Sequence, residues 1–348
     1  MFWEVFYSIL LLLTGIGVFL VGIVKFSNLL QTSGNDKVRA IFRQMGNNRM
    51  VGFAVGTGAT TIIQSSTATT VIVVGLVNAG VMTLGQSTAV IFGANVGSAL
   101  SNMLLSLSAF RIKYFFMALV FVGALTKILT KHKRLNSIAD IFISFGIIFV
   151  GLELMSSAFS GSEALTNGFS DMLAAVNFPL LLILLGFVLT AIIQSSTAAT
   201  AIFIALAANG LLDFTSIIFL VFGTRLGTTL TTMIAAIPAN RNAKRAAWMH
   251  LLFNVFGTII FLPIIWPLQH VIAPFFENLV PNPIWQISIF SLVLNLANAI
   301  VLLFFIQPIN KLVHLIVRDK PEQISISEQI EQEESAAPDS YCGFTDKF

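Results

Sequence analysis

Gln64-Ser65-Ser66-Thr67-Ala68-Thr69-Thr70 is a polar string inside an otherwise apolar stretch, and it returns 130 residues later as Gln194-Ser195-Ser196-Thr197-Ala198-Ala199-Thr200. Each copy follows an isoleucine pair, Ile62-Ile63 and Ile192-Ile193, and each is followed at equal distance by a glycine, Gly80 and Gly210. Beyond these come two G-x-x-x-G elements in the same register, Gly93-Ala94-Asn95-Val96-Gly97 and Gly223-Thr224-Arg225-Leu226-Gly227. Upstream the correspondence weakens but persists: Gly17 to Gly22 with Ser27 is similar to Gly146 to Gly151 with Ser156, offset by 129. A string recurring in fixed register with its flanks marks an internal duplication. Polar interruptions at corresponding positions of two membrane-embedded halves are the sequence sign of a carrier's binding site.

The composition around the strings sets the class. Hydrophobic residues make up 56% of the 348 and charged residues 10%, against roughly 45–50% and 25% in soluble domains. Several runs reach the roughly 20 apolar residues that a bilayer helix needs, so the chain reads as an all-α polytopic membrane protein. The first run, Tyr7 to Leu30, is longer than a signal h-region and lacks a basic n-region, so it reads as a retained span. The net charge of +3 comes from basic residues set between spans and points to no nucleic-acid partner. One cysteine, Cys342, excludes an internal disulfide and a cysteine metal cluster.

Seven full spans are expected, near 6–30, 83–107, 113–130, 137–159, 213–237, 245–270 and 285–312. Two further segments, 49–80 and 178–210, are apolar but split at their centres by the polar strings. Each half has about 15 residues, or about 22 Å of helix, too short to cross. Two such halves joined at a polar tip predict a re-entrant hairpin, whose non-helical tip must be buried in protein or line a wet cavity. The organisation expected is a first repeat over 1–136 and a second over 137–272, each with a hairpin and a broken helix. A C-terminal span over 273–318 and a disordered polar tail over 319–348 follow. Segment 36–47 reads as a short basic amphipathic helix.

Lysine and arginine placement orients this plan. Segments 31–50, 127–136, 239–245 and the part after 311 carry nearly all of the loop basic residues, from Lys37 and Arg39 to Arg318 and Lys320. The opposite face has only Arg111 and Lys113. The basic face is therefore expected to be cytoplasmic in an inner (plasma) membrane, with the N-terminus outside and the C-terminus inside. The first hairpin then enters from the cytoplasm and the second from outside. Three spans in the first repeat, an odd number, make the second repeat inverted.

The strings carry the chemistry. Where a second half-helix begins, its first N–H groups lack partners and its positive dipole end faces the tip. Serine and threonine cap such ends, and their hydroxyls donate to an anion while accepting from backbone. Gln64 and Gln194 each add an amide. Two tips meeting near the midplane would surround a small oxyanion with neutral donors, and the carbonyls ending the first half-helices suit a hard cation such as sodium. No H-E-x-x-H, P-loop, G-x-S-x-G or D-D-x-x-D pattern is present, and Ser65 and Ser195 have no base nearby in sequence. The chain is expected not to be an enzyme, to need no cofactor, and to draw on an ion gradient.

The paired Gln-Ser-Ser strings, each followed by a G-x-N-x-G type element, resemble the sodium-dependent inorganic phosphate cotransporter family over roughly residues 10 to 310. The resemblance implies an inverted-repeat symporter that carries phosphate into the cell by alternating access, with a scaffold that often forms a homodimer. It implies phosphate held by Gln64, Ser65, Ser66, Thr67, Gln194, Ser195, Ser196 and Thr197, with sodium as the coupling ion beside them. Asn95 fits the family's G-x-N-x-G element, but the second copy has Arg225. A cation at membrane depth costs several kcal/mol unless paired. Arg225 is therefore expected either to grip the anion bidentately or to replace one sodium as a fixed charge; the bland alternatives are snorkelling or pairing with Asp213 or Glu153. Sodium candidates are Ser65, Thr67, Ser98, Asn102, Ser195, Thr197, Thr228 and Thr229, although such residues equally often cap backbone carbonyls. Asn254, Asn295 and Asn298 read as interhelical hydrogen-bond partners and His250 as structural. The competing readings are another oxyanion (sulfate or a carboxylate), proton coupling, an anion channel, and an intramembrane enzyme. Larger relatives carry a soluble domain after the last span, which this chain's short tail does not match.

Overall fold

In the computed structural model, which describes residues 2–44, 48–175 and 178–318, the duplicated sequence folds into duplicated elements. The helices are α1 (Phe2–Gln44), α2 (Arg49–Ile63), α3 (Ser66–Asn78), α4 (Leu84–Leu105), α5 (Lys113–Leu129), α6 (Lys133–Ser160) and α7 (Glu163–Ala175). They continue as α8 (Pro179–Ile193), α9 (Ser196–Ala208), α10 (Phe214–Ala235), α11 (Arg241–Ile265), α12 (Gln269–Leu279), α13 (Pro283–Phe304) and α14 (Ile306–Ile316). The protein is an all-α polytopic membrane protein. Among the described residues, six helices are long and apolar enough to cross a bilayer: α1, α4, α6, α10, α11 and α13. α5, expected as a seventh span near 113–130, has 17 residues and is not among these six.

Why the chain breaks where it does is local chemistry. The β-branched run Thr60 to Ile63 ends α2, since such side chains crowd the preceding turn. Gln64 then takes a left-handed conformation (φ 58°, ψ 26°), and its N–H still donates to Thr60 O at 2.8 Å. Ser65 is extended (φ −153°) and starts α3, its Oγ accepting from Ala68 N at 3.1 Å. Gln194 (φ 57°) and Ser195 (φ −148°) repeat this turn, with Ser195 Oγ accepting from Ala198 N at 3.2 Å. Both α3 and α9 then end at a glycine of positive φ, Gly80 at 69° and Gly210 at 70°. There Val81 N bonds Leu76 O and Leu211 N bonds Leu206 O, the closure that a left-handed C-cap provides.

The G-x-x-x-G elements serve close helix packing. The broken helices predicted around them are absent: α4 and α10 run unbroken through Gly93–Gly97 and Gly223–Gly227. Their glycines instead let the first half of each hairpin lie directly against the long helix, α2 on α4 and α8 on α10. A Cβ on Gly93 would collide with the Phe53 carbonyl, and one on Gly223 with the Ile183 carbonyl. Gly56 meets the Val90 carbonyl in the same way, as Gly186 meets that of Leu220. Each of these pairs is related to its counterpart by 130 residues. Because backbone, not a flexible side chain, is what a larger residue would strike, Gly93→Val or Gly223→Val is expected to cost about 3 kcal/mol or more. The check is thermal unfolding in detergent, where either variant melts well below the parent or fails to run as a single species. An unshifted melting curve would mean that these helices do not need their close approach.

The second halves of the hairpins cross to the other copy. On α3, Thr70 Oγ1 lies 3.0 Å from Thr232 Oγ1 of α10. The bond at the positions 130 residues away runs from Asn102 Nδ2 of α4 to Thr200 Oγ1 of α9, at 3.5 Å. The repeat-related pair α1 and α6 also pack along each other, Gly22 against Ile148 and Gly151 against Phe19. α13 braces α4, where Ser106 Oγ donates to Ser288 Oγ at 2.6 Å and Ser288 Oγ donates to Asn102 O at 3.1 Å. Large apolar side chains such as Ile128 (81% exposed) and Phe304 (82% exposed) lie outside, as a lipid-facing belt requires.

Three other expectations change. The regions 160–178 and 273–284, expected as loops, are partly helical: the first holds α7 and the second the end of the amphipathic α12, which begins at Gln269. The last expected span is split at Phe305 because Pro308 lacks the N–H that would bond back to Phe304, and it is accommodated in the first turn of α14. The backbone of the basic segment 36–47 continues α1 as far as Gln44; its side chains, residues 45–47 and the tail beyond 318 lie outside the described residues.

Candidate functional site

The two tips converge. Gln64, Ser65, Ser66, Thr67 and Gln194, Ser195, Ser196, Thr197 all line one cavity of about 440 Å³. The remaining wall comes mainly from α1, through Leu20, Ile23, Val24, Ser27 and Asn28, with Thr231 of α10. α3 and α9 thus present their capped N-terminal ends to a common space. Each end carries about half a positive charge and first-turn N–H groups with no intrahelical acceptor. The serine caps accept from backbone and leave their own O–H groups to donate outward, so the space is lined by donors without a carboxylate. It suits an anion of oxyanion size.

The cavity is one-sided. α1 lines the large cavity and α6 does not, and behind it Gln64 and Thr197 meet a gap of only about 10 Å³ that Ile23 and Phe26 of α1 and Phe145, Ile148 and Phe149 of α6 line together. Gln64 is accordingly buried while Gln194 is exposed. Ser27 of α1 secures the first tip, its Oγ donating to Ile63 O at 3.0 Å. Gln64 Nε2 donates to the carbonyl of Thr61.

The other residues singled out from sequence separate from the tips. Asn95, Ser98, Asn102, Arg225 and Thr228 surround a second, small chamber of about 20 Å³ with Thr224, Ser291 and Asn295. Ser66 and Ser196 line both spaces and so form the partition between them. Thr229 belongs to neither; its hydroxyl donates to Leu226 O at 2.7 Å. Arg225 does not reach the surface, being 6% exposed. The two carboxylates considered for it are taken: Glu153 holds Lys113 at 2.6 Å, and Asp213 caps α10 by accepting from Ser216 N.

The supporting residues behave as hydrogen-bond fixtures. Asn254 Nδ2 donates to Asn95 Oδ1 at 3.3 Å and Asn298 Nδ2 to Phe253 O at 2.9 Å, joining helices as expected. Asn295 bonds within its own helix, to Ser291 O, and faces the small chamber instead. His250 is fully buried, its Nδ1 3.0 Å from Thr232 Oγ1. Sequence reasoning missed the α1 wall, Ser291 and Thr224. Ser27 alone left a trace, as the repeat counterpart of Ser156.

The profile of a family described as Na+/Pi-cotransporter matches residues 18–157 and 162–272. YqeW of Bacillus subtilis (strain 168), named without a function, is 29% identical over 303 residues, covering 87% of this chain and 96% of YqeW. YjbB of Escherichia coli (strain K12), whose name proposes inorganic phosphate export, is 29% identical over 287 residues, 82% of this chain and 51% of YjbB. The chain therefore spans about half the length of that relative. Sodium-dependent phosphate transport protein 2A of Oryctolagus cuniculus is 31% identical over 133 residues, 36% of this chain and 21% of that protein. No solved structure matches the chain.

Proposed function

The chain belongs to the Na+/Pi-cotransporter family, and on that premise we propose that it is a secondary carrier which moves inorganic phosphate together with sodium. The observation that carries this reading is the single cavity bounded by both Gln-Ser-Ser-Thr tips. Phosphate sits between them, held by the amides of Gln64 and Gln194, the hydroxyls of Ser65, Ser66, Thr67, Ser195, Ser196 and Thr197, and the N-terminal N–H groups of α3 and α9. Sodium binds beside the same tips, where Ser65, Thr67, Ser195 and Thr197 and the carbonyls ending α2 and α8 offer neutral oxygens. No enzymatic step is part of this reading.

Alternating access follows from the broken symmetry of the two repeats, 1–136 and 137–272. α1 lines the large cavity and its repeat counterpart α6 does not, while both close the narrow gap behind Gln64 and Thr197, so the tips open to the other face by repacking against this helix pair. The chain lies in the plasma membrane with its N-terminus outside and its C-terminus in the cytoplasm. Net movement is into the cell, down the sodium gradient. The name of YjbB favours a second reading, net export, which the same site supports when the gradients are reversed.

The test is uptake of radiolabelled phosphate into proteoliposomes driven only by sodium, only by potassium, or only by a pH gradient. An inward sodium gradient is expected to raise uptake at least tenfold over potassium, and internal unlabelled phosphate is expected to accelerate it. Equal uptake in potassium overturns sodium coupling, faster uptake with a pH gradient alone replaces it by protons, and the absence of trans-acceleration replaces the carrier by a pore.

A further inference from the structure

Arg225 is the one residue of the duplicated motifs that has no counterpart of the same charge. Its repeat partner, Asn95, is a neutral amide that bonds Ile91 O at 2.8 Å and accepts from Asn254. Arg225 is equally buried, yet its Nε, Nη1 and Nη2 have no hydrogen-bond partner among the described residues. Phe253 approaches the guanidinium, its ring centroid 6.0 Å from Cζ, at the outer limit of a cation–π contact. The chamber that Arg225 shares with Asn95 and Asn102 is about 20 Å³, room for one water-sized species. Asn102 Oδ1, which also lacks a partner, is on the same wall.

A guanidinium in such a place rejects a second cation, because two like charges confined to so small and buried a space repel strongly. Ser98, Asn102 and Thr228, neutral oxygen donors by themselves, are therefore poor sodium ligands in this chain. A purely structural arginine would be expected to spend its five donors on carbonyls or a carboxylate, and this one spends none. What adjoins it is the partition of Ser66 and Ser196, the first helical residues of α3 and α9, which face the large cavity on their other side.

We infer that Arg225 is a built-in counter-charge for the transported anion, acting across the Ser66–Ser196 partition and standing where a coupling sodium would otherwise bind. This deepens the carrier reading and rests on it. Phosphate draws its positive partner from the protein on the side of the second repeat, so the carrier binds phosphate without sodium and moves it with fewer sodium ions than the chamber would otherwise admit. Reverting the position to its repeat counterpart opens the chamber to sodium.

Two measurements on the full chain test this. The first is equilibrium binding of radiolabelled phosphate in sodium-free buffer to the parent, Arg225→Asn, Arg225→Met and Arg225→Lys. Asn and Met are expected to weaken binding at least tenfold, and Lys to retain it within about threefold. The second is the sodium dependence of phosphate uptake, where the Hill coefficient is expected to rise towards one unit higher in Arg225→Asn but not in Arg225→Lys. Melting temperatures no lower than the parent's in Asn and Met separate this role from a structural one. Unchanged sodium-free binding and an unchanged Hill coefficient in Arg225→Asn overturn the inference while leaving the carrier reading intact. Absence of phosphate binding by the parent under any sodium concentration overturns both. If Asn and Met are each unstable while Lys binds phosphate no better than they do, the arginine is structural and the inference is wrong.

Discussion

Gln64→Ala and Gln194→Ala together abolish phosphate transport, to below about 1% of the parent, and each alone lowers it at least tenfold. The two amides occupy equivalent turns at the ends of α2 and α8 and line the same cavity, so a bound anion loses a donor on both sides. A lost charge-assisted hydrogen bond is worth about 1.5–3 kcal/mol, and two of them account for a fall of that size. Both glutamines have positive φ, a conformation that costs a side-chain-bearing residue about 1–2 kcal/mol. Alanine keeps that cost, so its effect reports chemistry more than folding. Glycine provides the control. Gln64→Gly and Gln194→Gly relieve the backbone and are expected to raise the melting temperature slightly while still removing transport. Uptake in proteoliposomes beside thermal unfolding separates the outcomes. A double alanine variant with full uptake moves the substrate away from the tips, and glycine variants with normal uptake assign the turns a backbone role alone.

A thiol placed on either tip should silence the carrier when it is capped. With Cys342, the chain's one cysteine, changed to serine, Ser65→Cys and Ser195→Cys each put a sulfur on the wall of the large cavity and at the start of a helix. A helix N-terminus lowers a thiol's pKa and raises its thiolate fraction, so both positions react readily with a methanethiosulfonate reagent. Modification is expected to remove more than about 90% of uptake, and millimolar phosphate to slow the reaction severalfold at both positions. Each substitution removes a cap worth about 1 kcal/mol and exchanges a hydroxyl that binds the substrate for a thiol, so uptake is compared before and after labelling in the same variant. Complete labelling without loss of uptake excludes the tips from the transport path. Inhibition that phosphate fails to slow at either tip places the substrate elsewhere.

Both results bear on how far the chain can be read without its fold. The hairpins were legible almost to the residue: 49–80 and 178–210 were expected, and Arg49–Asn78 and Pro179–Ala208 are helical apart from the tips. The signals there are local: a glutamine that takes the turn and a serine that caps the next helix are printed twice, each after an isoleucine pair. The meeting of the tips was also legible, because a polar turn in so apolar a chain has to find shared shelter. A broken helix was expected in each repeat, whereas α4 and α10 are continuous, and their G-x-x-x-G glycines serve the close helix packing that such spacing permits. The last expected span ran through Pro308, whose missing N–H splits it into α13 and α14.

The duplication, the membrane-spanning class, the hairpins and the residues at their tips are determined by the sequence alone, because each depends on neighbours within a turn or two of helix or on identity at a fixed offset. The partition of the polar residues into two spaces was decided only by tertiary structure. Thr70 bonding Thr232 and Asn102 bonding Thr200 carry each hairpin onto the opposite copy. That crossing sets the eight tip residues around the large cavity and puts Arg225 behind Ser66 and Ser196. Packing likewise decides the asymmetry of the cavity: of the repeat-related pair α1 and α6, only α1 lines the large cavity, and α6 joins it only at the narrow gap behind Gln64 and Thr197.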